Sequence, residues 1–253
     1  MKQLLFRADD LGYSEAVNYG IQKSVKEGIV CNVGVMMNMD ATLHGVNLLK
    51  EEVIAFGQHT NISAGYPLSD PQKIPSLLKE NGQFKTSKDY ASQENDVVVF
   101  EEVLLEIKAQ YDEFLTLFGK KPDYIDGHAV ASANFFKAIE YFSKEKGIRY
   151  FTLPTKNSEG LAIAYVNQAA IYSTMEFMTS SYDPMVTFKR LATSDVKADV
   201  AMMVVHPGYL DDYIINNSSL LTARTKEVAM LTSKELKEFI VNHEIKLINI
   251  KEL

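Results

Sequence analysis

Short apolar runs alternate with longer amphipathic segments along most of the chain. This alternation is typical of βα units that build a largely parallel sheet. The apolar runs predict seven strands, over Gln3 to Ala8, Cys31 to Met36, Val53 to Gly57, Asp123 to Asp126, Ile148 to Thr152, Val200 to Val205 and Lys246 to Ile250. The amphipathic segments predict six helices, over Ser14 to Glu27, Thr42 to Glu51, Asp96 to Phe118, Asn134 to Lys146, Pro184 to Ala192 and Ser233 to His243. The order favours an α/β fold with a closed or nearly closed ring of parallel strands inside a layer of helices.

Two segments depart from this pattern, and both follow the end of a predicted strand. Gly65 to Glu94 contains three prolines and many polar residues, which predicts a long excursion that serves as a lid or a substrate wall. Val205 to Arg224 is the second such segment. Because no linker rich in Pro, Ser or Gly divides the chain, we expect residues 1–253 to form a single domain.

Composition narrows the class of protein without naming its chemistry. The chain has 253 residues with 46% hydrophobic composition, enough to bury a full core. Its 26 basic and 33 acidic residues give a net charge of −7, which disfavours nucleic acid as a partner. Cys31 has no second cysteine to pair with, and we find neither a signal peptide nor an apolar run of about 20 residues that could span a membrane. We therefore expect a soluble, reduced, cytoplasmic protein without a membrane partner.

Metal-capable side chains follow three of the predicted strands. Asp9 and Asp10 follow the first strand, His59 follows the third, and His128 follows the fourth. In a barrel of parallel strands the chemistry lies where strands end and loops begin. A carboxylate with two imidazoles can hold a divalent cation and leave positions for water and substrate. This set predicts a metal-assisted hydrolase in which one acid binds metal and its neighbour accepts a proton.

Each of these groups also has an ordinary structural interpretation. The acidic pair could cap the helix that starts near Ser14, His59 could be a buried histidine bonded to a backbone carbonyl, and Asp126 could orient an imidazole or cap the next helix. Neighbouring side chains of a strand face opposite sides, so both acids reach one site only if the chain bends, and Gly12 is predicted to supply the bend. Three of the five histidines follow strand-like runs, which favours a joint site.

A further histidine, His206, begins the sequence His206-Pro207-Gly208-Tyr209 at the end of an apolar strand. An imidazole has an ordinary pKa near 6.5, which suits a general acid that works close to neutral pH. The chain has no Gly-x-Ser-x-Gly elbow, no phosphate-binding glycine loop and no Cys-x-x-Cys pair. These absences disfavour serine hydrolases, nucleotide-driven enzymes and structural zinc modules.

Four motifs match one known family in the same order along the chain. ADDLGYS at 8–14 is similar to the family element ADDFGLS, GQHTN at 57–61 to GLHLN, and DGH at 126–128 to the start of DGHQHVH. HPGY at 206–209, with Asp212, Ser218, Ser219, Arg224 and Glu227 after it, is similar to the family's HPGY segment. The chain thus resembles the YdjC-like carbohydrate deacetylases over nearly its whole length.

This resemblance implies a specific site and reaction. The metal ligands would be Asp10, His59 and His128, with Asp9 as the general base and His206 as the general acid or a residue that orients the substrate. The implied fold is an irregular (β/α) barrel of about seven mostly parallel strands, as in polysaccharide deacetylases. The implied enzyme is a homodimer that uses one divalent ion, Mg²⁺ or Zn²⁺. Its substrate partner would be an amino sugar or a short chitin-type oligosaccharide, from which it removes N-acetyl groups.

The chain departs from the family at two places. Residues 129–132 read Ala-Val-Ala-Ser, so two later histidines of the family motif are missing, which bears on sugar specificity. Arg7 stands where the family more often has asparagine, and we expect this to matter little because Arg7 precedes the acids. Two alternatives stay open: another metal-dependent barrel hydrolase acting on a phosphoester or amide, and a catalytically silent sugar-binding protein. Loop aromatics expected to stack on sugar rings include Tyr66, Tyr90, Tyr182 and Tyr209.

Overall fold

A ten-stranded sheet is the centre of the computed structural model, which describes residues 3–174, 176–179 and 181–253. Its strands are β1 (Gln3–Leu11), β2 (Asn32–Val35), β3 (Ala55–Thr60), β4 (Tyr124–Gly127), β5 (Arg149–Tyr150), β6 (Thr155–Lys156), β7 (Ala162–Val166), β8 (Ala169–Thr174), β9 (Val200–Val205) and β10 (Lys246–Leu247). The order is β5-β4-β3-β2-β1-β9-β8-β7-β6, with β10 paired to β1. The pairs β6/β7 and β7/β8 are antiparallel, and the other strand pairs are parallel.

Helices connect most of the parallel strands. They are α1 (Glu15–Lys26), α2 (Thr42–Leu49), α3 (Ser87–Ala91), α4 (Phe100–Phe118), α5 (Ala133–Lys146), α6 (Pro184–Thr193), α7 (Asp212–Asn217), α8 (Thr222–Thr232) and α9 (Lys234–Asn242). Serine side chains cap the first and last of these helices: Ser14 accepts a hydrogen bond from the backbone of Val17, and Ser233 accepts one from Leu236. Among the described residues, none of the helices has the length and apolar character needed to cross a membrane.

The sheet curls into a half-barrel, which confirms the predicted α/β barrel class. A bridge between Phe151, directly after β5, and Val166 of β7 joins the two arms of the curled sheet. The N–H of Thr152 also donates to the carbonyl of Tyr165 at 3.0 Å. The buried interior contains residues from both layers, including Leu4, Phe56, Val200 and Leu231. Because the parallel strands share one direction, their carboxyl ends meet at one rim, as the sequence predicted.

The region from Thr155 to Thr174 differs from the prediction, which assigned it no strand. It forms an antiparallel extension of the sheet, and Asn167 has a φ of 54° in the turn between β7 and β8. The signal for this hairpin is present in the sequence as two β-prone runs separated by Asn167-Gln168.

The two predicted excursions have different structures. Between Gly65 and Glu94 the chain forms short helical turns at Pro71–Lys73 and Pro75–Leu77, a bridge between Leu78 and Phe84, and α3. The role of this segment as a lid or substrate wall stays a prediction. The second segment contains the short helix α7, and it leads into α8. The prediction missed α8, which packs against α1.

Candidate active site

The first strand continues through both acidic residues, and the chain bends within it. Asp10 has a φ of 76°, and the register of β1 against β2 shifts between Ala8 and Leu11. A left-handed backbone at a residue other than glycine is uncommon and is typical of functional sites. The chain therefore turns at Asp10 as well as at Gly12, where the sequence predicted the bend and where φ is 104°. This turn lets both carboxylates approach the same imidazole.

The three residues predicted to bind metal converge at this point. Oδ1 of Asp10 lies 3.2 Å from Nδ1 of His128 and 3.6 Å from Nε2 of His59. The two imidazole nitrogens, Nε2 of His59 and Nδ1 of His128, are 3.1 Å apart. All three potential ligand atoms lie within 4.8 Å of one another. Asp10 and His59 are buried, and His128 is partly exposed.

The chemistry of these atoms fits a divalent cation. Oδ1 of Asp10 is buried and makes no hydrogen bond with the described residues, which is costly unless something else satisfies it. Within the part of the chain that the structure describes, the buried carboxylates of Asp9, Asp10 and Asp126 form ion pairs with two guanidinium groups, those of Arg7 and Arg224. One oxygen and two nitrogen donors, with surplus negative charge beside them, suit Zn²⁺ or another first-row ion, and Mg²⁺ less closely.

Asp126 orients one of the imidazoles. Its Oδ1 lies 3.0 Å from Nδ1 of His59, which leaves Nε2 of the ring for the cluster. This confirms the interpretation of Asp126 as an orienting carboxylate rather than a helix cap. The cap of α5 is Ser132, whose hydroxyl accepts a hydrogen bond from the backbone of Phe135.

The same carboxylates change the protonation of His59. Burial alone would lower the pKa of this imidazole, but Asp126 and Asp9 raise it to about 9. In the protein without a cation, His59 therefore holds a proton at neutral pH. A metal ion binds the deprotonated ring, so the cation and this proton compete for the same place.

Arg7 has a larger part in the site than the sequence predicted. Its Nε and Nη2 donate to the two carboxylate oxygens of Asp9 at 2.8 and 2.6 Å, and its Nη1 lies 2.9 Å from Oδ2 of Asp126. The guanidinium also lies over the ring of Phe151, 4.7 Å from its centroid. The expectation that Arg7 matters little is wrong, because its side chain extends along β1 and binds both Asp9 and Asp126.

The neighbouring acids differ in their proton affinity. Burial raises the pKa of Asp9, although Arg7 opposes that effect. Burial would also raise the pKa of Asp10, but Arg224 and His128 hold it well below its usual range. Asp10 therefore stays ionised, as a metal ligand must, and Asp9 has the greater tendency to take up a proton. The assignment of Asp9 as general base stays a prediction.

His206 lies directly after β9 and is buried next to the ring of Phe177. Burial, with the positive charge of Arg224 adding to it, lowers the pKa of its imidazole to about 3, so the ring is neutral near pH 7. Its Nδ1 is buried and has no hydrogen-bond partner among the described residues. The role of His206 as general acid or substrate-orienting residue stays a prediction.

Two residues of α8 complete the cluster. Nη2 of Arg224 donates to Oδ2 of Asp10 at 2.9 Å, and Oε2 of Glu227 accepts from the backbone N–H of His206 at 2.6 Å. Burial raises the pKa of Glu227 to about 7. Sequence reasoning named both residues only through the family resemblance and gave them no role. Their contacts depend on tertiary structure alone.

Two of the four tyrosines expected to stack on sugar rings, Tyr90 and Tyr182, are not freely exposed. Tyr90 is half-buried, and its hydroxyl donates to the carbonyl of Ile62 at 3.2 Å. Tyr182 is buried, and its hydroxyl donates to Oε1 of Glu227 at 2.7 Å, so it is unavailable to stack on a sugar. Tyr66 and Tyr209 are exposed, as that expectation requires.

Gly34 of β2 leaves space for side chains of the two neighbouring strands, β1 and β3. A Cβ at this position would lie 3.0 Å from Oδ1 of Asp9 and 3.2 Å from Cβ of His59. The sequence analysis did not single out this glycine. The absence of a side chain lets the base candidate on β1 and the ligand candidate on β3 face each other across β2.

Comparisons with known proteins identify the family of this chain. The YdjC-like protein family matches residues 3–242. The chain belongs to this family. A carbohydrate deacetylase of Clostridium beijerinckii is 34% identical over 99% of this chain and 100% of its own length. A carbohydrate deacetylase of Brevibacillus brevis is 31% identical over 99% of both chains.

Solved structures show where the fold of this YdjC-like chain recurs. A protein of Enterococcus faecalis, proposed to cleave cellobiose phosphate, has a TM-score of 0.82 at 23% identity and covers 99% of this chain and 98% of that chain. A peptidoglycan deacetylase of Bacillus subtilis has a TM-score of 0.51 at 10% identity, over 99% of this chain and 89% of that chain. At these identities the likeness concerns the fold, which is that of polysaccharide deacetylases.

Proposed function

We propose that the protein is a metal-dependent carbohydrate deacetylase that hydrolyses N-acetyl groups of an amino sugar or a short chitin-type oligosaccharide. The observation that carries the proposal is the convergence of Asp10, His59 and His128 within 4.8 Å in a chain whose curated relatives are carbohydrate deacetylases. Asp10, His59 and His128 would hold one Zn²⁺ or Mg²⁺ ion. When bound, such an ion polarises the acetyl carbonyl and lowers the pKa of water.

The residues of the chain supply the proton transfers. Asp9 takes a proton from the attacking water as the oxygen bonds to the acetyl carbon. Arg7 holds both oxygens of Asp9, so this carboxylate keeps a fixed direction. The C–N bond then breaks, and the nitrogen needs a proton because an amide anion is a poor leaving group. We assign its delivery to His206, whose ring is neutral near pH 7. The ring first takes up the proton that Asp9 removed from water and then donates it to the nitrogen, so the products are acetate and a free amino sugar.

A single cation suffices for this reaction. A second group of potential ligands, Asp9, His59 and Asp126, also lies within 4.8 Å. However, Arg7 already forms ion pairs with both of its carboxylates at 2.6 and 2.9 Å. The guanidinium thus already neutralises charge on both carboxylates, which disfavours the two-metal phosphoesterase alternative.

The test is release of acetate from N,N′-diacetylchitobiose by the purified protein with Zn²⁺ or Mg²⁺, with and without a chelator. We expect turnover with metal, none with chelator, and one bound ion per chain in a calorimetric titration. Two ions per chain with phosphoesterase activity would favour the competing hydrolase. Binding of the sugar without acetate release under any metal would identify a silent sugar-binding protein.

Two further expectations join this proposal. We infer that the enzyme is a homodimer, which light scattering on the purified protein can test. We also propose that it acts in the cytoplasm on small soluble sugars, which fractionation of cells that produce it can test.

A further inference from the structure

We propose that Arg224 and Glu227 of α8 form a clamp that positions His206 and Asp10 relative to each other. The part of this inference that concerns turnover depends on the proposed function. The part that concerns metal affinity does not. Neither residue touches the three potential ligand atoms, so both act as positioning residues.

The clamp holds both backbone polar groups of His206. The N–H of His206 donates to Oε2 of Glu227 at 2.6 Å, and Nη1 of Arg224 donates to the carbonyl of His206 at 3.3 Å. Residues three apart on a helix lie on the same face, so one face of α8 contacts one residue of the loop. The position of the imidazole thus depends on this helix.

The same guanidinium extends the clamp to the candidate ligand Asp10. Nη2 of Arg224 binds Oδ2 of Asp10 at 2.9 Å, which leaves Oδ1 directed toward His59 and His128. Its Nε donates to the carbonyl of Leu220 at 3.0 Å, so the guanidinium has little freedom to move. Arg224 thereby joins the first strand, the loop after β9 and α8 at one point.

The surroundings of the clamp keep it rigid. The side chains of Arg224 and Glu227 are both buried, and the hydroxyl of Tyr182 donates to the second oxygen of Glu227. The turn after His206 is fixed as well, because a Cβ at Gly20 of α1 would lie only 2.4 Å from Cα of Gly208. A loop held only for stability would not require buried charged groups, which cost desolvation energy.

The clamp predicts a separation of effects, because Arg224 binds both Asp10 and His206, whereas Glu227 binds His206 and Tyr182 but makes no hydrogen bond to Asp10 in the described structure. Arg224→Met should weaken Zn²⁺ binding about 10- to 100-fold, the range for loss of a group that orients a ligand, and should lower kcat as well. Glu227→Leu should lower kcat about 10-fold or more and leave the Zn²⁺ affinity and KM unchanged. Glu227→Gln should restore most of the rate, because its Oε1 can accept from His206 and its Nε2 can donate to Tyr182.

The experiment measures Zn²⁺ affinity by calorimetry and acetate release from N,N′-diacetylchitobiose in the full chain. Each variant is made in the unchanged chain and in a His206→Ala background, in which Glu227→Leu should have no further effect on kcat. The matched control is Thr225→Ala, because the hydroxyl of Thr225 donates to the carbonyl of Thr222 within α8, and this variant should behave like the unchanged protein. If Arg224→Met does not fold, Arg224→Lys replaces it, since one ammonium cannot reproduce the guanidinium contacts.

Two results would overturn the clamp. One is a Zn²⁺ affinity that falls as much in Glu227→Leu as in the Arg224 variant, and the other is an equal loss of kcat by Glu227→Leu with and without His206. If the unchanged protein releases no acetate, the proposed function fails. The Zn²⁺ affinities still test the link from Arg224 to Asp10 in that case.

Discussion

The two neighbouring carboxylates of β1 have different cationic partners. Asp9 pairs with Arg7, two residues earlier in the same strand, and shares it with Asp126. Asp10 pairs with Arg224, which lies 214 residues away in the sequence. Burial raises the pKa of Asp9, but the contacts of Asp10 hold its pKa well below the usual range.

This comparison shows how adjacent identical residues acquire different roles. The backbone bend at Asp10 directs the two side chains to different neighbours, and those neighbours decide which acid remains charged. The ionised acid fits a metal ligand. The acid with the raised pKa fits a proton acceptor. The variants below separate the two sides of the site.

The largest effect is expected on the Asp10 side. Asp10→Asn removes the charged ligand oxygen, so Zn²⁺ affinity should fall by more than about 100-fold, beyond the range for loss of an orienting group. Acetate release should be lost with it. Calorimetry and the acetate assay measure the two quantities. His59→Ala and His128→Ala should reproduce both losses, and full Zn²⁺ affinity in any of the three would remove that residue from the ligand set.

The Asp9 side should respond differently. Asp9→Asn keeps the size of the side chain but removes the proton acceptor, so kcat should fall by roughly 100-fold or more. The Zn²⁺ affinity should stay close to that of the unchanged protein, because the ligand candidates Asp10, His59 and His128 all remain. A full rate in this variant would exclude Asp9 as the base, and a parallel loss of metal would make it a ligand.

A smaller effect is expected when Arg7, the positively charged partner of Asp9, is replaced by a residue of the same charge but different shape. In Arg7→Lys, the ammonium cannot form the paired hydrogen bonds to Asp9 while it also reaches Asp126. Stability to urea should fall by about 1.5–3 kcal/mol, the range for a hydrogen bond to a charged group.

The matched control for that variant is Arg190→Lys, at an exposed ion pair with Glu176, which should change stability by about 0–1 kcal/mol. Equal losses of stability at the two positions would mean that the buried ion pairs of Arg7 stabilise the fold no more than an exposed ion pair does. The kcat of Arg7→Lys should lie between those of the unchanged protein and Asp9→Asn, since Asp9 keeps its charge but loses part of its orientation.

Several features of the site were predictable because they follow from sheet geometry. Asp10, His59 and His128 each lie at the carboxyl end of a strand, and parallel strands bring such ends to one rim. The pairing of Arg224 with Asp10 has no local signal, since it depends on how α8 packs against the sheet. The role of Arg7 was underestimated for a related reason. Its position before the acids in the sequence does not show that its long side chain reaches Asp9 and Asp126.

The fold shows the same division. The parallel strands other than β8, and most of their helices, have the periodicity of buried elements, and these were predicted to within a few residues. The hairpin of β7 and β8 has a turn signal at Asn167 that the sequence analysis overlooked. Helix α8 has buried polar residues, Arg224 and Glu227, on the face that an ordinary amphipathic pattern would make apolar. These buried polar residues therefore hide the amphipathic pattern from which a helix would be predicted.

The smallest effect is expected when the space between Asp9 and His59 is filled. Gly34→Ala would place a methyl group 3.0 Å from Oδ1 of Asp9 and 3.2 Å from Cβ of His59, so these neighbours must move by a few tenths of an ångström. A shift of that size should lower kcat by about 10-fold or less, since a displacement of about 1 Å can cost 100-fold. Melting temperature should change little, because alanine also reduces the freedom of the unfolded chain. A loss of Zn²⁺ affinity at constant kcat would show instead that the methyl group acts through His59, which would make β2 a support of the metal ligands rather than of the base.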